Sequence, residues 1–426
     1  MSHIPLARRD VEVCFVKNVL FLLDYYQENN SANGVCCRNV AEALAMKGYG
    51  VFAGCYRPLE APAEEIQNGV HVIRTWIMPD APTHKTLREK MTIYCRWINP
   101  FSRRPAAAIS SREEAIYASA SRIIEEKGID TVVCVHLPVE TLLAGCRLKK
   151  RYPELYICAY QLDTLSGGNL PRLLPQWYAR KRRVAWERYL FHSMDRVILM
   201  QPSRRHHSHY TSHEEWLNKA MYGDIPLFVP RADSAICQHR HDSEVRIVFA
   251  GTLSEALRTP YHILEVLDRV KNYSVHVIIA GTNDCRKKNY EMYSSIKVTE
   301  LGLIEHERVL HLLIESDVLL NIGAKNMSLL SGKFFEYISF GKPILETFWD
   351  KEDVTLPYLE KYPLALALDE RTSDLDQQAL SIERFFDQCL GNRVDVSQLG
   401  EMFHANSPLF FEELLTKPIT YKKDEQ

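Results

Sequence analysis

The sequence predicts an α/β protein built from two doubly wound domains, each with a parallel sheet. Short apolar runs alternate with segments of helical periodicity along most of the chain, which is typical of βαβ units. The alternation forms two series, separated by an irregular stretch from Asp224 to His241. The length of 426 residues fits two such domains of roughly 200 residues each. We therefore expect two Rossmann-like halves.

The first series predicts a domain over residues 1–230. Runs rich in Val, Ile, Leu and Phe predict strands, because a strand buried on both faces is apolar throughout. These strands are Asn18–Asp24, Gly50–Cys55, Val70–Arg74, Thr131–Val135, Leu155–Tyr160 and Arg196–Met200. Segments with a 3.6-residue apolar period predict the helices Val35–Lys47, Glu113–Lys127, Glu140–Arg151 and Arg172–His192. Right-handed crossovers then give one parallel sheet.

The second series predicts a domain over residues 243–400. Its strands are Val245–Ala250, Val275–Ala280, Asp317–Ile322 and Pro343–Leu345, and its helices are Tyr261–Val270, Glu305–Glu315 and Lys333–Phe340. Residues 401–426 are predicted to form a helical tail that returns to the first domain. In doubly wound sheets ligands bind beyond the carboxyl ends of the strands. Functional residues are therefore expected in the loops where strands end.

Composition excludes several classes of protein. Lys and Arg number 52 and Asp and Glu 54, so the net charge of −2 gives no general attraction to nucleic acid. The apolar run Val19–Leu23 is far shorter than the roughly 18 residues that span a bilayer. Charged residues near the N-terminus, Arg8 to Lys17, argue against a signal peptide. Eleven cysteines without a Cys-x-x-Cys motif indicate reduced thiols, and we expect a cytoplasmic protein.

Several segments of the second domain have the composition of a phosphate-binding site. Gly251-Thr252 and Gly281 directly follow predicted strands, where glycine serves either an ordinary turn or the close approach of a ligand. Ser331-Gly332 opens a helix that contains Lys333 and Glu336. A helix N-terminus beside a lysine suits a diphosphate, and a glutamate one turn later can accept hydrogen bonds from ribose. The alternative is a solvated Lys333–Glu336 pair on a helix surface.

The order of residues from Asp317 to Glu346 resembles the donor-binding segment of GT-B glycosyltransferases. The segment consists of a strand, a polar loop, the sequence Ser-x-Lys-Phe-Phe-Glu-Tyr and then the sequence Gly-Lys-Pro-Ile. The resemblance is to family-4-like enzymes that build surface or capsular polysaccharides. It extends to Phe249–Leu253, to Leu301–Ile304 and, in the first half, to Ser31–Val35.

The resemblance implies two facing Rossmann-like domains with the ligands in the cleft between them. The second domain would hold a nucleoside-diphosphate sugar, uridine-based, and the first a saccharide or lipid-linked saccharide acceptor. Glu336 would bind ribose, while Lys333 and the Ser331-Gly332 amides would lie toward the diphosphate. Arg258 would neutralise the leaving diphosphate, its alternative being an exposed arginine at a helix start. Further contacts are expected from Gly251, Thr252, Gly281 and Leu303, and an acceptor loop at Asn33 and Gly34.

The resemblance also implies transfer with retention, with no cofactor and no catalytic metal. Many family-4 enzymes carry a second glutamate eight positions before the ribose-binding one, and Ser328 occupies that position here. This departure leaves the sugar and the stereochemical outcome in question. Two rival functions keep the fold: a nucleotide-sugar epimerase, and a non-catalytic partner subunit.

Two polar residues in the first domain follow predicted strands. His136 comes after Thr131–Val135 and can accept a proton, bind a sugar hydroxyl or cap the next helix. Asp163 follows Leu155–Tyr160 and can orient the acceptor, act as a base or form an Asx turn. In the group His206, His207, His209 and His213, the i, i+4 pair His209 and His213 could bind a metal if the segment is helical, but no cysteine or ordered acidic partner accompanies it.

Basic residues interleave with aromatic residues in two clusters of the first domain. The first cluster holds Arg88, Lys90, Arg96, Arg103, Arg104 and Arg112 beside Tyr94, Trp97 and Phe101. The second holds Arg172, Arg180, Lys181, Arg182, Arg183 and Arg188 beside Trp177, Tyr178 and Trp186. Such surfaces suit anionic membranes and phosphate-bearing lipids, so peripheral contact with the inner face of the cell membrane is expected; a merely solvated surface is the alternative.

Overall fold

The fold is described from a computed structural model of the chain. It describes residues 17–26, 32–58, 60–76, 86–168, 170–171, 173–229, 244–286, 290–325 and 332–418. The chain divides into two compact units, the first formed by residues 1–226 and 405–426 and the second by residues 227–404. The C-terminal segment thus belongs to the first unit.

The first unit contains an eight-stranded sheet with helices packed on it. Its strands are β1 (Asn18–Leu22), β2 (Gly50–Tyr56), β3 (Glu64–Gln67), β4 (Val70–Trp76), β5 (Thr131–His136), β6 (Tyr156–Gln161), β7 (Arg196–Met200) and β8 (Ala220–Gly223). Its helices are α1 (Ala32–Met46), α2 (Leu87–Ile98), α3 (Ser110–Lys127), α4 (Val139–Arg151), α5 (Gln176–His192) and α6 (Arg204–Tyr210). All pairings are parallel except β3 with β4.

The strand order of this sheet is β3-β4-β2-β1-β5-β6-β7-β8. The chain winds outward from β1 through β2 and then, from β5, in the opposite direction. Strands β1 and β5 therefore form the topological switch point, where doubly wound folds bind ligands at the carboxyl ends of the strands. The end of β5, at His136, lies at this point.

The second unit contains a six-stranded sheet that is parallel throughout. Its strands are β9 (Glu244–Ala250), β10 (Ser274–Ala280), β11 (Ile296–Gly302), β12 (Val318–Ile322), β13 (Ile344–Phe348) and β14 (Ala365–Asp369). Its helices are α7 (Tyr261–Leu267), α8 (His306–Glu315), α9 (Gly332–Ser339), α10 (Leu356–Leu359), α11 (Leu375–Cys389) and α12 (Val396–Met402). The order β11-β10-β9-β12-β13-β14 puts the switch point between β9 and β12.

The C-terminal helix α13 (Phe410–Thr416) packs on the sheet of the first unit. Phe411 is buried, with its ring centroid 4.9 Å from that of Tyr160 and 6.0 Å from that of Phe21. The buried Arg196 guanidinium donates hydrogen bonds to the carbonyls of Leu414 and Lys417 at the end of α13. These carbonyls have no partner within the helix, so Arg196 fixes the end of α13 to β7.

The Gly-Lys-Pro sequence after α9 joins helix and sheet. Gly341 has a positive φ of 66° and lies one residue beyond Phe340, which follows the end of α9; this is the C′ position that glycine favours. Lys342 is 3% exposed, and its ammonium donates to the carbonyls of Leu313, Ile314 and Ser316 at the end of α8. The lysine of this motif is therefore a helix cap.

Candidate functional site

Three glycine-containing loops stack at the carboxyl edge of the second unit's sheet. The Gly251 amide donates to the Ala280 carbonyl at 2.9 Å, and the Gly281 amide donates to the Gly302 carbonyl at 2.8 Å. Gly281 has a φ of 125°, and a Cβ there would lie 2.0 Å from the Gly251 carbonyl oxygen. Only glycine allows this approach. The predicted residues Gly251 and Gly281 thus shape the edge through backbone contact with each other's loops.

Helix α9 carries Lys333 and Glu336 on one side and a buried face on the other. Phe334, Phe335 and Tyr337 are at most 1% exposed, and the Ala250 amide at the end of β9 donates to the Tyr337 hydroxyl at 2.8 Å. This bond holds α9 against the switch point. In Lys-Phe-Phe-Glu-Tyr, the aromatic residues therefore form the apolar face of α9, and Lys333 and Glu336 form its polar face.

Lys333 and Glu336 form an ion pair in the structure. The distance from the Lys333 ammonium to a Glu336 carboxylate oxygen is 2.7 Å, and the side chains are 36% and 15% exposed. This is the helix-surface pair named above as the alternative to a ligand site. Ion pairing and ligand binding are compatible, because an ammonium and a carboxylate can each make further hydrogen bonds. The helix that carries them begins beyond the carboxyl end of β12, where a ligand is expected.

Arg258 lies in the loop between β9 and α7. A tight turn, in which the amides of Leu257 and Arg258 donate to the Ser254 carbonyl, places it there. Burial lowers the pKa of its guanidinium, an effect opposed by nearby Glu346, Tyr337 and Asp353. Its Nε is buried and has no hydrogen-bond partner among the described residues. Arg258 is thus a half-buried cation, not the exposed helix-start arginine considered as its alternative.

The loop after β12 meets the Arg258 loop across the switch point. The Lys325 amide donates to the Leu257 carbonyl at 2.8 Å, and the Lys325 ammonium donates to the Glu255 carbonyl at 2.9 Å. The ammonium also lies 5.4 Å from the ring centroid of Trp349, a cation–π distance. Neither Lys325 nor Trp349 was predicted from the sequence, although Trp349 directly follows β13 and Lys325 lies three residues after β12.

Two buried acids on this edge were not among the residues predicted from the sequence. Glu346 in β13 is fully buried, and the Asn321 amide of β12 donates to its two carboxyl oxygens at 2.9 and 2.7 Å. Glu370, just after β14, accepts a hydrogen bond from the Thr347 hydroxyl at 2.6 Å, and burial raises its pKa to about 7. An acid inside an apolar strand is costly to bury and could have marked Glu346.

The remaining donor-site predictions have different outcomes. Ser331 and Ser328 lie outside the described residues. Gly332 is the first residue of α9. Thr252 is exposed and its hydroxyl accepts a hydrogen bond from that of Thr282, while Leu303 is 83% exposed beyond β11. An exposed leucine at a strand end is available to contact a ligand.

His136 ends β5 and does not follow it. Its side chain is 4% exposed, and its Nδ1 lies 3.1 Å from the Asp163 carbonyl oxygen. A carbonyl only accepts, so Nδ1 carries the proton and Nε2 is left as an acceptor. Burial lowers the pKa of His136 to about 4, so the imidazole is neutral at neutral pH. His136 does not cap α4, because Pro138 occupies the N-cap position and no side chain makes a cap hydrogen bond there.

The predicted acceptor loop is part of a helix. Asn33 and Gly34 lie in the first turn of α1, so the expected glycine loop before residue 35 is wrong at these two positions. The Asn33 amide donates to the His136 carbonyl at 3.4 Å. The helix extends further toward its N-terminus than its apolar periodicity indicated, and it brings Asn33 to the switch point of the first unit.

A buried polar network surrounds the loop that carries Asp163. The Asp163 side chain is exposed, whereas the Ser166 amide donates to the Glu187 carboxylate at 2.7 Å and the Ser166 hydroxyl lies 2.8 Å from His206 Nε2. Burial raises the pKa of Glu187 to about 7 and lowers that of His206 to about 4. Arg183 donates to the Leu165 carbonyl. This network fixes the loop that holds the His136 imidazole.

Many arginines of the two basic clusters bind the first unit's own backbone. Arg182 is 4% exposed and donates to the carbonyls of Arg96, Pro100 and Ser102, while Arg96 donates to those of Ala106 and Ala108. Arg180 donates to the Ser166 carbonyl, and Arg104 and Arg188 pair with Glu113 and Glu214. Trp97 and Trp186 are buried. These residues do not contribute to a free basic surface; Arg172 lies outside the described residues.

No group of three or more His, Cys, Asp and Glu side chains in the described ranges has the arrangement of a metal site. His213 pairs with Glu214 at 3.2 Å and lies outside α6, which contains His209. None of the helices in the described part of the chain combines the length and apolarity that crossing a membrane requires.

Comparison with known proteins identifies the fold. No protein-family model matches the chain, and no curated protein matches it in sequence. Sucrose-phosphate synthase from Thermosynechococcus elongatus is 12% identical and superposes with a TM-score of 0.54, covering 95% of this chain and 96% of that one. An α,α-trehalose-phosphate synthase (UDP-forming) from Burkholderia xenovorans is 11% identical, with a TM-score of 0.54 over 93% and 99% of the two chains.

A third similar structure is the lipopolysaccharide outer core galactosyltransferase WaaB, which is 13% identical, with a TM-score of 0.50 over 93% of this chain and 99% of that chain. These proteins have the GT-B fold of two Rossmann-like domains. The predicted fold class is therefore confirmed, and at these identities the likeness concerns the fold.

Proposed function

We propose that the protein is a glycosyltransferase that moves a sugar from a nucleoside-diphosphate sugar, uridine-based, to a saccharide or lipid-linked saccharide acceptor. The observation that carries this proposal is the grouping of Lys333, Glu336 and Arg258 around the β9–β12 switch point of a GT-B fold. A lysine and a glutamate at the start of α9, together with an arginine from the β9–α7 loop, suit a diphosphate and a ribose.

Each of the three side chains has a separate role in the proposed donor site. The Glu336 carboxylate accepts hydrogen bonds from the ribose hydroxyls, and Lys333 turns from Glu336 toward the diphosphate. Arg258 meets the charge that develops on the β-phosphate as the nucleoside diphosphate leaves. A half-buried guanidinium is effective here because its charge is poorly screened by water. We propose that these groups stabilise the leaving diphosphate without a metal ion.

The first unit supplies the acceptor side in this proposal. His136 is neutral at neutral pH with its proton on Nδ1, so Nε2 can accept a hydrogen bond or proton from the acceptor hydroxyl. The Asp163 carbonyl and the Asn33 amide hold this strand end in place. By resemblance to family-4 enzymes we propose retention at the anomeric carbon.

A surface on the first unit supports contact with a membrane. Leu87, Met91, Tyr94 and Ile98 recur along one side of α2 and are 45–75% exposed. Phe101 after this helix is 88% exposed, and Trp177 at the start of α5 is 71% exposed. The Tyr178 hydroxyl donates to the Ile98 carbonyl at 2.8 Å, which joins the two segments into one surface. We name these six exposed residues the α2 surface.

The chemistry around the α2 surface favours an anionic lipid bilayer. Arg88 and Lys90 are exposed beside the apolar residues, and a groove of about 690 Å³ runs along α2 between Leu87 and Ser102. Exposed Trp, Tyr and aliphatic side chains with flanking cations are typical of helices that lie in a membrane interface. We propose that the protein binds the membrane peripherally through this surface to reach a lipid-linked acceptor.

The proposal is tested by measuring products. The protein is first screened by thermal shift against nucleotide sugars, and the one that stabilises it is incubated with saccharide and lipid-linked acceptors. We expect release of the nucleoside diphosphate and a glycosylated acceptor, also in the presence of EDTA. Conversion of the sugar without transfer would favour an epimerase. Donor binding with no turnover for any acceptor would favour a non-catalytic subunit.

A further inference from the structure

Arg112 is a half-buried cation at the carboxyl edge of the first unit's sheet, and the proposed reaction gives it no role. It lies in the first turn of α3. This helix packs on β1, β2 and β4 and ends at Lys127, just before β5 begins at the opposite edge. Because α3 runs antiparallel to the strands, its first turn lies beyond their carboxyl ends, where doubly wound folds bind ligands.

The Arg112 guanidinium forms no ion pair with an acid in the described part of the chain. The two acids that follow it in α3 are paired with other arginines: Glu113 with Arg104 and Arg147, and Glu114 with Arg147 at 2.7 Å. A cation in the first turn of a helix is also unfavourable, because the helix dipole is positive there. Such an uncompensated charge is expected at a functional site, where a ligand can offset it.

Two tyrosines lie beside Arg112. The guanidinium carbon of Arg112 is 5.7 Å from the centroid of the Tyr56 ring, a cation–π distance. The ring of Tyr25 meets that of Tyr56 edge-on, with centroids 5.6 Å apart and an interplanar angle of 68°. Tyr56 is buried and Tyr25 is partly exposed. The pair gives Arg112 an aromatic wall, and aromatic rings beside a few polar groups are typical of sites for small ligands.

The sheet register brings this tyrosine pair close to His136. The Tyr56 amide donates to the Asp24 carbonyl at 2.8 Å, and Leu22 of β1 is paired with Cys134 of β5. Two residues further along both parallel strands, Asp24 is level with His136. The backbones at Tyr56 and His136 are therefore two strand spacings, or about 10 Å, apart. A hexose with a charged substituent can span this distance.

Backbone amides bind the two carboxylates that lie nearest to Tyr56. Asp24 accepts from the Tyr25 amide at 2.8 Å, and Glu140, which is 2% exposed, accepts from the Ile109 amide at 2.7 Å. Their charges are partly compensated without Arg112. The guanidinium therefore remains available to a ligand.

We propose that the acceptor saccharide carries an anionic group, a phosphate or a carboxylate, which the Arg112 guanidinium binds while the Tyr25–Tyr56 pair contacts the sugar ring. This inference rests on the proposed function and names the substrate class on its acceptor side. A planar guanidinium can donate two parallel hydrogen bonds to either anion. With the anion at Arg112, a hydroxyl on the far side of the sugar points toward His136.

The test is calorimetric titration of the full chain with four probes: glucose, glucuronate, glucose 6-phosphate and dodecyl phosphate. We expect an anionic sugar to bind at least about tenfold more tightly than glucose, as charge-assisted hydrogen bonds provide. The preference should shrink toward 1 M salt, where the Debye length is about 3 Å. Tighter binding of glucuronate identifies a carboxylate, of glucose 6-phosphate a sugar phosphate, and of dodecyl phosphate the phosphate of a lipid linkage.

Arg112→Gln should reduce the affinity for the anionic probe to that for glucose. UDP binding should stay unchanged, because the proposed donor site lies in the second unit. The matched control is Arg122→Gln, at an exposed arginine of the same helix, which should keep the preference for the anion. Arg112→Lys keeps the charge but not the paired donors, so it should retain part of the preference.

The outcomes separate this inference from the proposed function. Equal affinity for glucose and the charged probes, or no binding of any charged probe to a protein that binds UDP, would overturn the anionic acceptor and leave the donor site intact. A preference for the anion that survives in Arg112→Gln would remove Arg112 from the site. If Arg112→Gln does not fold, an anion affinity in Arg112→Lys identical to the wild type would overturn the role of Arg112. Absence of UDP binding in the wild type would overturn both proposals.

Discussion

Lys333 and Glu336 neutralise each other in the absence of ligand, so their importance should be visible in binding and not in stability. An ion pair at this exposure contributes about 0–1 kcal/mol to folding. A carboxylate that accepts hydrogen bonds from ribose contributes about 1.5–3 kcal/mol to binding.

We predict that Glu336→Ala weakens UDP binding by roughly tenfold to 150-fold while Tm changes little. Calorimetry with UDP measures the first quantity and thermal unfolding the second. Glu401→Ala, an exposed glutamate on α12 of the same unit, is the control and should bind UDP normally. Normal UDP affinity in a folded Glu336→Ala protein would remove Glu336 from the site.

Arg258 and Lys333 should affect turnover more than donor binding, because in the proposed mechanism they act where charge develops in the transition state. We predict that Arg258→Ala and Lys333→Ala each lower kcat by about 10²–10³, the range for one preorganised group at a developing charge. Steady-state kinetics measures this, with Arg269→Ala, a surface arginine paired with Asp376, as the control.

The same kinetics reports on the first unit. His136→Ala should lower kcat by less than Arg258→Ala or Lys333→Ala, since His136 is proposed to assist the acceptor and not the departing diphosphate. A variant with unchanged kcat would have no role in the reaction. Loss of wild-type activity on adding EDTA, with recovery on adding a divalent ion, would contradict the metal-free scheme.

At the scale of elements, the Gly-Lys-Pro sequence connects α8, α9 and β13. The Lys342 ammonium donates to three carbonyls at the end of α8, where backbone carbonyls lack the amide partners of a helix interior; that of Leu313 also accepts from the Ser316 hydroxyl. A cation is also favourable at the negative end of a helix dipole. The residue is therefore structural, although it lies in the segment that most resembles a donor site.

We predict that Lys342→Met destabilises the protein by about 3 kcal/mol, because the buried carbonyls lose a charged donor while side-chain length is kept. The corresponding decrease in Tm is roughly 6–12 °C for a unit of this size. Lys271→Met, at an exposed lysine of the same unit, should leave Tm unchanged. A similar Tm for both variants would show that Lys342 does not cap α8.

At the scale of the whole molecule, the α2 surface predicts binding to anionic vesicles. The electrostatic part should weaken with salt, as the Debye length decreases from about 10 Å at 0.1 M to about 3 Å at 1 M. We predict that replacing Phe101 and Trp177 by serine reduces co-sedimentation several-fold, because both side chains are largely exposed and would insert into the interface.

The control for vesicle binding is Met46→Ser, since Met46 is 78% exposed in the same unit but lies at the end of α1. It should sediment with vesicles like the wild type. Equal binding to neutral and anionic vesicles, or binding to neither, would contradict the proposed membrane contact.

The sequence by itself determined the fold class and the positions of the central strands, because strands buried on both faces consist of short runs of apolar residues. Most of the predicted strands of both series recur within one or two residues of their positions in the structure, such as Val245–Ala250 within β9. The edge strand β3, of sequence Glu-Glu-Ile-Gln, was not predicted because its composition is polar. The sequence also identified Lys333, Glu336 and Arg258 as candidates, since their spacing from strand ends is local.

Only the tertiary structure decided which polar residues meet. Glu346 and Asn321 are 25 residues apart and become partners through the parallel register of β12 and β13. The arginines that formed basic clusters along the chain separated into a few exposed cations and many that bind backbone carbonyls, as Arg182 does. A sequence records the charge of a side chain, but burial and hydrogen bonding are set by neighbours distant in the chain, and these determine whether that charge faces solvent, ligand or protein.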